Sequence, residues 1–318
     1  MIEDWLRDFY EIEAAKVELI SVGADLNASI YKVQASDKRS YFVKVVQGRS
    51  YDVPMAILEL LQGAGVQHLI HPIKTKEGKS AHQMGDLTLI VYPFIQGKDG
   101  FSRSLSDEQW IALGKALRQV HEIDVPAALQ TKIRRENFSP KWREAVRSFF
   151  SQEVSAEDEI ALKLRKFLKD NRALIQQLVD RSEELSLNVR EKPLKFALCH
   201  SDIHGGNVLI DDKNALYIVD WDDPILAPKE RDLMFIGGGV GNVWNRPHEE
   251  KLFYQGYGQT EVDSDLLAYY RNERIVVDIV EYIQELLLKP AESKDKFQLY
   301  HQFMDMFAPN GVVEIALK

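Results

Sequence analysis

The chain has a single cysteine, Cys199, among 318 residues. One thiol forms no internal disulfide, and a zinc–thiolate cluster is excluded. No apolar run approaches the roughly 20 residues that span a bilayer. No basic stretch followed by an apolar run opens the sequence, so no secretory signal is read there and a cytoplasmic location is expected. Basic residues are in the minority: Lys and Arg number 40 against 49 Asp and Glu, a formal net charge of −9. That balance argues against nucleic acid and anionic membrane as partners, since both need clustered positive charge. It suits a cationic ligand. Neither G-x-x-x-x-G-K-[ST] nor G-x-G-x-x-G occurs, so the two common glycine-rich phosphate loops are absent. With 45% hydrophobic and 28% charged residues, the chain is an ordinary globular protein rather than a disordered one. No low-complexity segment or fixed-period repeat appears.

The first hundred residues read as strands with one helix among them. Ser29–Val33 and Tyr41–Val46 are rich in β-branched and aromatic residues, with a hairpin loop at 36–39. A helix is expected from Pro54 to Gln62, between an N-terminal proline and Gly63/Gly65. Leu87–Tyr92 is a third strand, ended by Pro93. Beyond residue 100 the pattern becomes helical. Ser106 and Gln109 form a capping box, followed by Trp110, Leu113, Leu117 and Val120 at helical spacing. Further helices are expected at 140–150, around 164–178, and from 266 onward. Two short β-like runs, 208–210 and 216–219, interrupt them. The fold class is therefore α+β, a small β-rich lobe (1–95) followed by a larger α-helical lobe (96–318), with the boundary near Pro93–Gly100.

The chemistry concentrates in Cys199-His200-Ser201-Asp202-Ile203-His204-Gly205-Gly206-Asn207 and in Val219-Asp220-Trp221-Asp222. Asp202 and Asn207 stand five residues apart around a Gly-Gly turn, and Asp220 ends a short strand. Phosphoryl transfer needs this set: one carboxylate to orient the attacking hydroxyl, and an Asn with a second Asp to hold Mg²⁺ against the phosphates. Taken singly, such residues are common in turns; together with a lysine in an upstream apolar strand they point to a kinase. That lysine is Lys44, placed to hold nucleotide phosphates. Asp52 and Glu59, near the predicted helix, are both candidates to orient it, and spacing does not separate them. The loop at 21–29 precedes the first hairpin and has one glycine, a weak phosphate-loop signal. His200, His204 and Cys199 are read as structural, because no third metal ligand accompanies them.

These motifs resemble those of the aminoglycoside phosphotransferase and choline kinase superfamily, whose members share a bilobal protein-kinase-like fold. Within it the resemblance is nearest to the spectinomycin phosphotransferases. It is carried by Gly23-Ala24-Asp25 with Asn27-Ala28, Tyr92–Ile95, Ser139–Glu144 and the long run Ala227–Asn245. The resemblance implies ATP, or another nucleoside triphosphate, and Mg²⁺ as cofactors. It makes Asp202 the catalytic carboxylate and Asn207 and Asp220 the metal ligands. Lys44 becomes the phosphate lysine with Asp52 as its partner, and Tyr92, Pro93, Phe94 and Ile95 become the hinge that meets adenine. Asp25 and Asn27 are the matching loop contacts. Trp221 stands where Phe is usual, which leaves the ligand Asp220 untouched.

For the acceptor, a helix over 271–288 places Asp278, Glu281, Tyr282 and Glu285 on one stripe. That stripe would receive ammonium groups of an aminocyclitol, or be a solvated surface. Trp244 would stack on a ligand or sit in the core. The expected activity is phosphorylation of a hydroxyl on a small cationic molecule, with spectinomycin the named substrate and resistance the biological role. The alternatives are a kinase of choline, homoserine or an amino sugar, and a nucleotide-binding module without catalysis. Intact Lys44, Asp202, Asn207 and Asp220 argue against the last.

Overall fold

Alternation in Tyr41-Phe42-Val43-Lys44-Val45 sends Tyr41, Val43 and Val45 to one face of a sheet. The computed structural model, which describes residues 2–20, 27–152, 158–288 and 296–318, shows what covers that face. Helix α1 (Ile2–Tyr10) lays Ile2, Leu6 and Tyr10 at i, i+4 and i+8 against Val33, Val43, Leu89 and Val91. The Tyr10 hydroxyl donates to the carbonyl of Leu89 at 3.0 Å. The sequence pattern predicts one helix in this region; α1 is a second, its three apolar positions carrying the helical period.

The sheet is antiparallel, built from β1 (Ala14–Ile20), β2 (Ala28–Ala35), β3 (Ser40–Gln47), β4 (His82–Met84) and β5 (Leu87–Pro93) in the order β1-β2-β3-β5-β4. Helix α2 (Asp52–Gly63) follows β3. The next strand, β6 (Gly97–Asp99), pairs with Val208–Asp211, with Gly97 opposite Asp211. A Cβ at Gly97 would lie 2.3 Å from the Ile210 carbonyl oxygen, so only glycine allows this approach. Val208–Asp211 forms a hairpin with Leu216–Ile218, and Ile218 donates to the His68 carbonyl at 2.7 Å.

These pairings explain how the chain divides. It forms two compact units: the first comprises 1–105, 116–134 and 206–224, the second 106–115, 135–205 and 225–318. The division is thus not the single cut after residue 95 expected from the sequence. The 208–218 hairpin groups with the N-terminal sheet because β6 and the 68–69 segment hydrogen-bond to it.

The second unit is helical. Lys141–Phe150, Glu159–Asp170, Arg172–Arg190 and Ser264–Ile283 pack around Val146, Leu164, Leu168, Leu178, Ile275, Val276, Ile279 and Ile283. Within this core the Arg143 guanidinium donates to Glu273 at 2.5 Å, and Ser182 donates to the same carboxylate. Cys199 ends the strand Ala197–Cys199, is fully buried, and pairs with Ile225. Ser106 and Gln109 cap the helix Asp107–Glu122 reciprocally, at 2.8 and 3.3 Å. No helix among the described residues is long and apolar enough to cross a membrane.

Candidate active site

In the first unit, the period of two that buries Val43 and Val45 turns Lys44 to the opposite face, between Ile30 and Ile90 in the neighbouring strands. Its ammonium donates to Asp222 and lies 3.8 Å from Asp220. Both partners of the closer pair are largely enclosed, 11% and 16% exposed. The Tyr51 hydroxyl donates to the same Asp222 oxygen at 2.6 Å, and Arg49 donates to the Asp222 carbonyl and, at 2.7 Å, to the Asp223 carboxylate. This corrects the expected partnership. Asp52 is exposed at the start of α2 and Glu59 is paired with Lys74; neither is bonded to Lys44. A carboxylate two residues past the metal-ligand candidate is within reach of the lysine, whereas α2 sends its acidic side chains to solvent.

Asp220 has φ +62°, a left-handed conformation that non-glycine residues rarely adopt. Such strain concentrates at functional positions. Its neighbour Val219 donates to the Asn207 carbonyl at 3.0 Å, so the backbone brings the two metal-ligand candidates to adjacent positions. Asn207 is buried in the 3₁₀ turn Gly205–Asn207, and the Asp220 side chain is half exposed. A carboxylate and an amide oxygen are hard donors that suit Mg²⁺.

The hinge segment leaves the sheet at Pro93. Tyr92 pairs with Phe42 in the ladder, and Phe94 donates its N–H to Ser40 at 3.0 Å. The Lys32 ammonium sits 4.3 Å from the Phe94 ring centre. Burial raises the Tyr92 phenol above its ordinary value. Ile95 is half buried, between β5 and β6. Asn27 is exposed and accepts from the Gln47 N–H at 2.9 Å; Asp25 lies outside the described residues.

In the second unit, the strand Ala197–Cys199 runs into a loop held from below by Asp232. This fully buried carboxylate accepts the N–H of His200 at 2.8 Å and of Ser201 at 2.7 Å. Ser201 has φ +76°, and the strained turn it makes leads into Asp202. The Asp202 carboxylate is 40% exposed. Its Oδ1 accepts from Arg274 Nη1 at 2.5 Å, and its Oδ2 lies 3.4 Å from His204 Nε2. Enclosure opposes ionisation, but Arg274, then His204, outweigh it and hold the carboxyl well below the usual carboxylate range.

Arg274 also donates through Nε to Asp278 at 2.7 Å, on the same helix four residues on. Burial raises the Asp278 carboxyl, against the pull of Arg274. Glu281 is accessible yet closely surrounded; desolvation, then the Asp278 charge, raises its carboxyl. The α-helix ends at Ile283 and continues as a π-turn, Gln284–Leu288, which carries Glu285. Of the expected acceptor set, Tyr282 packs partly buried against the helical core and Trp244 takes the core alternative. The Tyr282 ring packs edge-on to Phe303 at 5.6 Å, and burial pushes its phenol up to about 12. Trp244 is 5% exposed and packs on Trp110 at 5.1 Å.

Sequence reasoning assigned no role to Arg274, Asp222, Tyr51 or Asp232. Arg274 had a signal: a cation four residues before Asp278, one helical turn ahead of the acidic stripe. Asp232 had none beyond its place in the 227–245 run, because its partners are backbone amides 31 and 32 residues away.

A strand lysine paired to carboxylates, an Asp–Asn pair of oxygen donors and an ionised aspartate on a braced loop define a small-molecule kinase with a protein-kinase-like fold. The sequence pattern of the APH phosphotransferase enzyme family matches residues 18–270, and the chain belongs to that family. It superposes on the spectinomycin phosphotransferase APH(9)-Ia, solved with ADP and spectinomycin, with TM-score 0.93, 45% identity and coverage of 99% of this chain and 96% of that one. The AMP complex of the same enzyme matches with TM-score 0.89 and 43% identity over 99% and 97%. Protein StrN of Streptomyces griseus is 23% identical over 213 residues, 62% of this chain and 63% of that protein.

Proposed function

We propose that the protein transfers the γ-phosphoryl group of ATP to a hydroxyl of spectinomycin. The observation that carries this reading is the ionised Asp202, held by Arg274 and His204 at the end of a loop braced by Asp232. The 45% identity to an enzyme solved with ADP and spectinomycin supports the choice of acceptor.

Asp202 accepts the hydrogen bond of the acceptor hydroxyl and takes its proton as the oxygen–phosphorus bond forms and the bond to ADP breaks. Lys44, paired to Asp222, which the Tyr51 hydroxyl also bonds, is the cation for the nucleotide phosphates. The 92–95 backbone is the adenine contact, with Asn27 as a loop contact. Asn207 and Asp220 would hold Mg²⁺, which when bound neutralises charge on the phosphates. Asp52 has no part in this assignment. A reaction that consumes ATP fits a cytoplasmic enzyme.

The test is steady-state phosphorylation of spectinomycin, choline, homoserine, an amino sugar and a neutral sugar, each at two salt concentrations. Turnover of spectinomycin with a KM that rises with ionic strength is expected. Turnover confined to choline, homoserine or the amino sugar would replace the substrate and keep the kinase. Absence of any transfer, with nucleotide binding intact, would make the chain a binding module.

A further inference from the structure

Helix Ser264–Ile283 bears two adjacent residues with opposite destinations. Glu273 turns into the core to meet Arg143. Arg274, about 100° further round the helix, turns to Asp202. Its planar fork is spent on two different carboxylates, Nη1 on Asp202 and Nε on Asp278. The Phe235 ring lies 5.7 Å from the guanidinium carbon. Met234, Val240, Ile275 and Val312 supply apolar wall to a small cavity that Arg274 and Asp278 also border. A guanidinium fixed at both ends and backed by an aromatic ring has little rotamer freedom left, and its rigid fork passes that restriction to whatever it holds.

What it holds is the oxygen of the catalytic carboxylate. The other Asp202 oxygen faces His204, so the carboxylate is gripped from two directions. Other charged or titratable groups near this cluster are His200, Asp278 and Glu281. A misplacement of the order of 1 Å in such a group costs about 10²-fold in rate. Simple neutralisation of an enclosed acid would need only a positive charge; the two-ended fork fixes direction as well.

We propose that Arg274 is a positioning residue for phosphoryl transfer, holding Oδ1 of Asp202 so that the carboxylate presents a fixed edge to the acceptor hydroxyl, and that Asp278 serves Arg274 rather than the substrate. This rests on the phosphotransferase reading above. It leaves Glu281 and Glu285 as the carboxylates that meet the substrate's ammonium groups.

Arg274→Gln, Arg274→Lys, Asp278→Asn and the Arg274→Gln/Asp278→Asn double variant test it. Arg274→Gln should lower kcat about 10–100-fold, with KM for ATP and for the acceptor changed less than about threefold. Asp278→Asn should lower kcat in the same direction but less. The double variant should match Arg274→Gln alone, because Asp278 acts through Arg274; with the buried Asp278 also neutralised, it carries the reading if the single variant folds poorly. Lysine should restore part of the rate, since one ammonium does not reproduce the fork. Wild-type kcat in Arg274→Gln, or a raised acceptor KM with unchanged kcat in Asp278→Asn, would overturn the proposal. The bridge itself is read without any acceptor by the ¹⁵Nε signal of Arg274, assigned by its loss in Arg274→Lys. That signal should shift in both Asp202→Asn and Asp278→Asn, and indifference to Asp202→Asn would refute the bridge. Should spectinomycin prove inert while the signal responds, the substrate reading falls, the bridge stands, and kcat is read on whichever acceptor of the panel is turned over.

Discussion

Replacing Asp202 by asparagine separates charge from shape. The amide keeps the side-chain volume, and its oxygen still accepts from Arg274 Nη1, which sits 2.5 Å from Oδ1. Arg274 is not stranded, because Asp278 remains on its Nε at 2.7 Å. The loop is braced independently by Asp232 on the His200 and Ser201 amides. The variant should therefore fold and bind nucleotide. What it loses is the ionised acceptor for the hydroxyl proton. Losing a positioned base costs about 10²–10⁴ in rate, or roughly 3–5 kcal/mol on the barrier. The lower half of that range is expected here, for two reasons. The phosphoryl transition state is loose, so orientation outweighs proton removal. Arg274 and His204 also hold the wild-type carboxylate well below its ordinary pKa, which makes it a weak base to begin with. The same pairing fixes the sign of a pH effect. A depressed folded-state pKa contributes stability above the ordinary value of 3.8 that is lost as pH falls through the folded value. Asp202→Asn should accordingly flatten acid destabilisation. The assay is ADP release coupled to NADH oxidation with saturating spectinomycin, alongside calorimetric titration of ATP. A kcat within a few-fold of wild type, with ATP affinity retained, would refute the assignment of Asp202.

Asp220→Ala should abolish transfer and metal-dependent nucleotide hydrolysis, and EDTA should do the same to the wild type; activity surviving EDTA counts against the metal site. Glu281→Gln with Glu285→Gln should raise the spectinomycin KM more than it lowers kcat and should reduce the salt dependence of KM, measured in steady state at two ionic strengths. The Glu281 carboxyl is raised by desolvation and by Asp278, so as pH falls it protonates earlier than an ordinary carboxylate; KM for a cationic substrate should climb at correspondingly higher pH, and Glu281→Gln should remove that climb. Arg143→Met strands Glu273 in the core, where the pair is 2% and 10% exposed, and should cost about 3–5 kcal/mol, read as a lowered midpoint in chemical denaturation; an unchanged midpoint would show that Glu273 is neutral or solvated.

Local periodicity made much of this architecture legible. The β2–β3 hairpin, α2, the capped helix at 107 and the strand ending at Pro93 are each written in a few consecutive residues. The loop proposed to be catalytic, and Asp220, stood out in the sequence because phosphoryl transfer needs fixed residue types at short spacing. The illegible part was partnership. Lys44 finds Asp222, 178 residues away, and Arg274 finds Asp202, 72 residues away, and no spacing rule reaches that far. The acidic stripe was read as uniform because helical geometry gives direction but not neighbours: Asp278 turns to an arginine, Tyr282 to Phe303, and a π-turn shifts the phase at Glu285. The N-terminal helix was overlooked for a different reason, since three apolar positions in nine residues make a weak pattern until a sheet is there to receive them.

Cys199 ends the strand immediately before the catalytic loop, fully buried, with its thiol pushed well up by burial. A thiol so protected reacts with alkylating reagents only when its strand opens. Being the sole cysteine of the chain, it is a built-in clock for that opening: the rate at which the native enzyme consumes iodoacetamide times the loosening of the segment that carries Asp202, with no label, tag or engineered residue. Any ligand that steadies the loop should slow the clock, so protection from alkylation offers a screen for acceptors that needs no turnover at all.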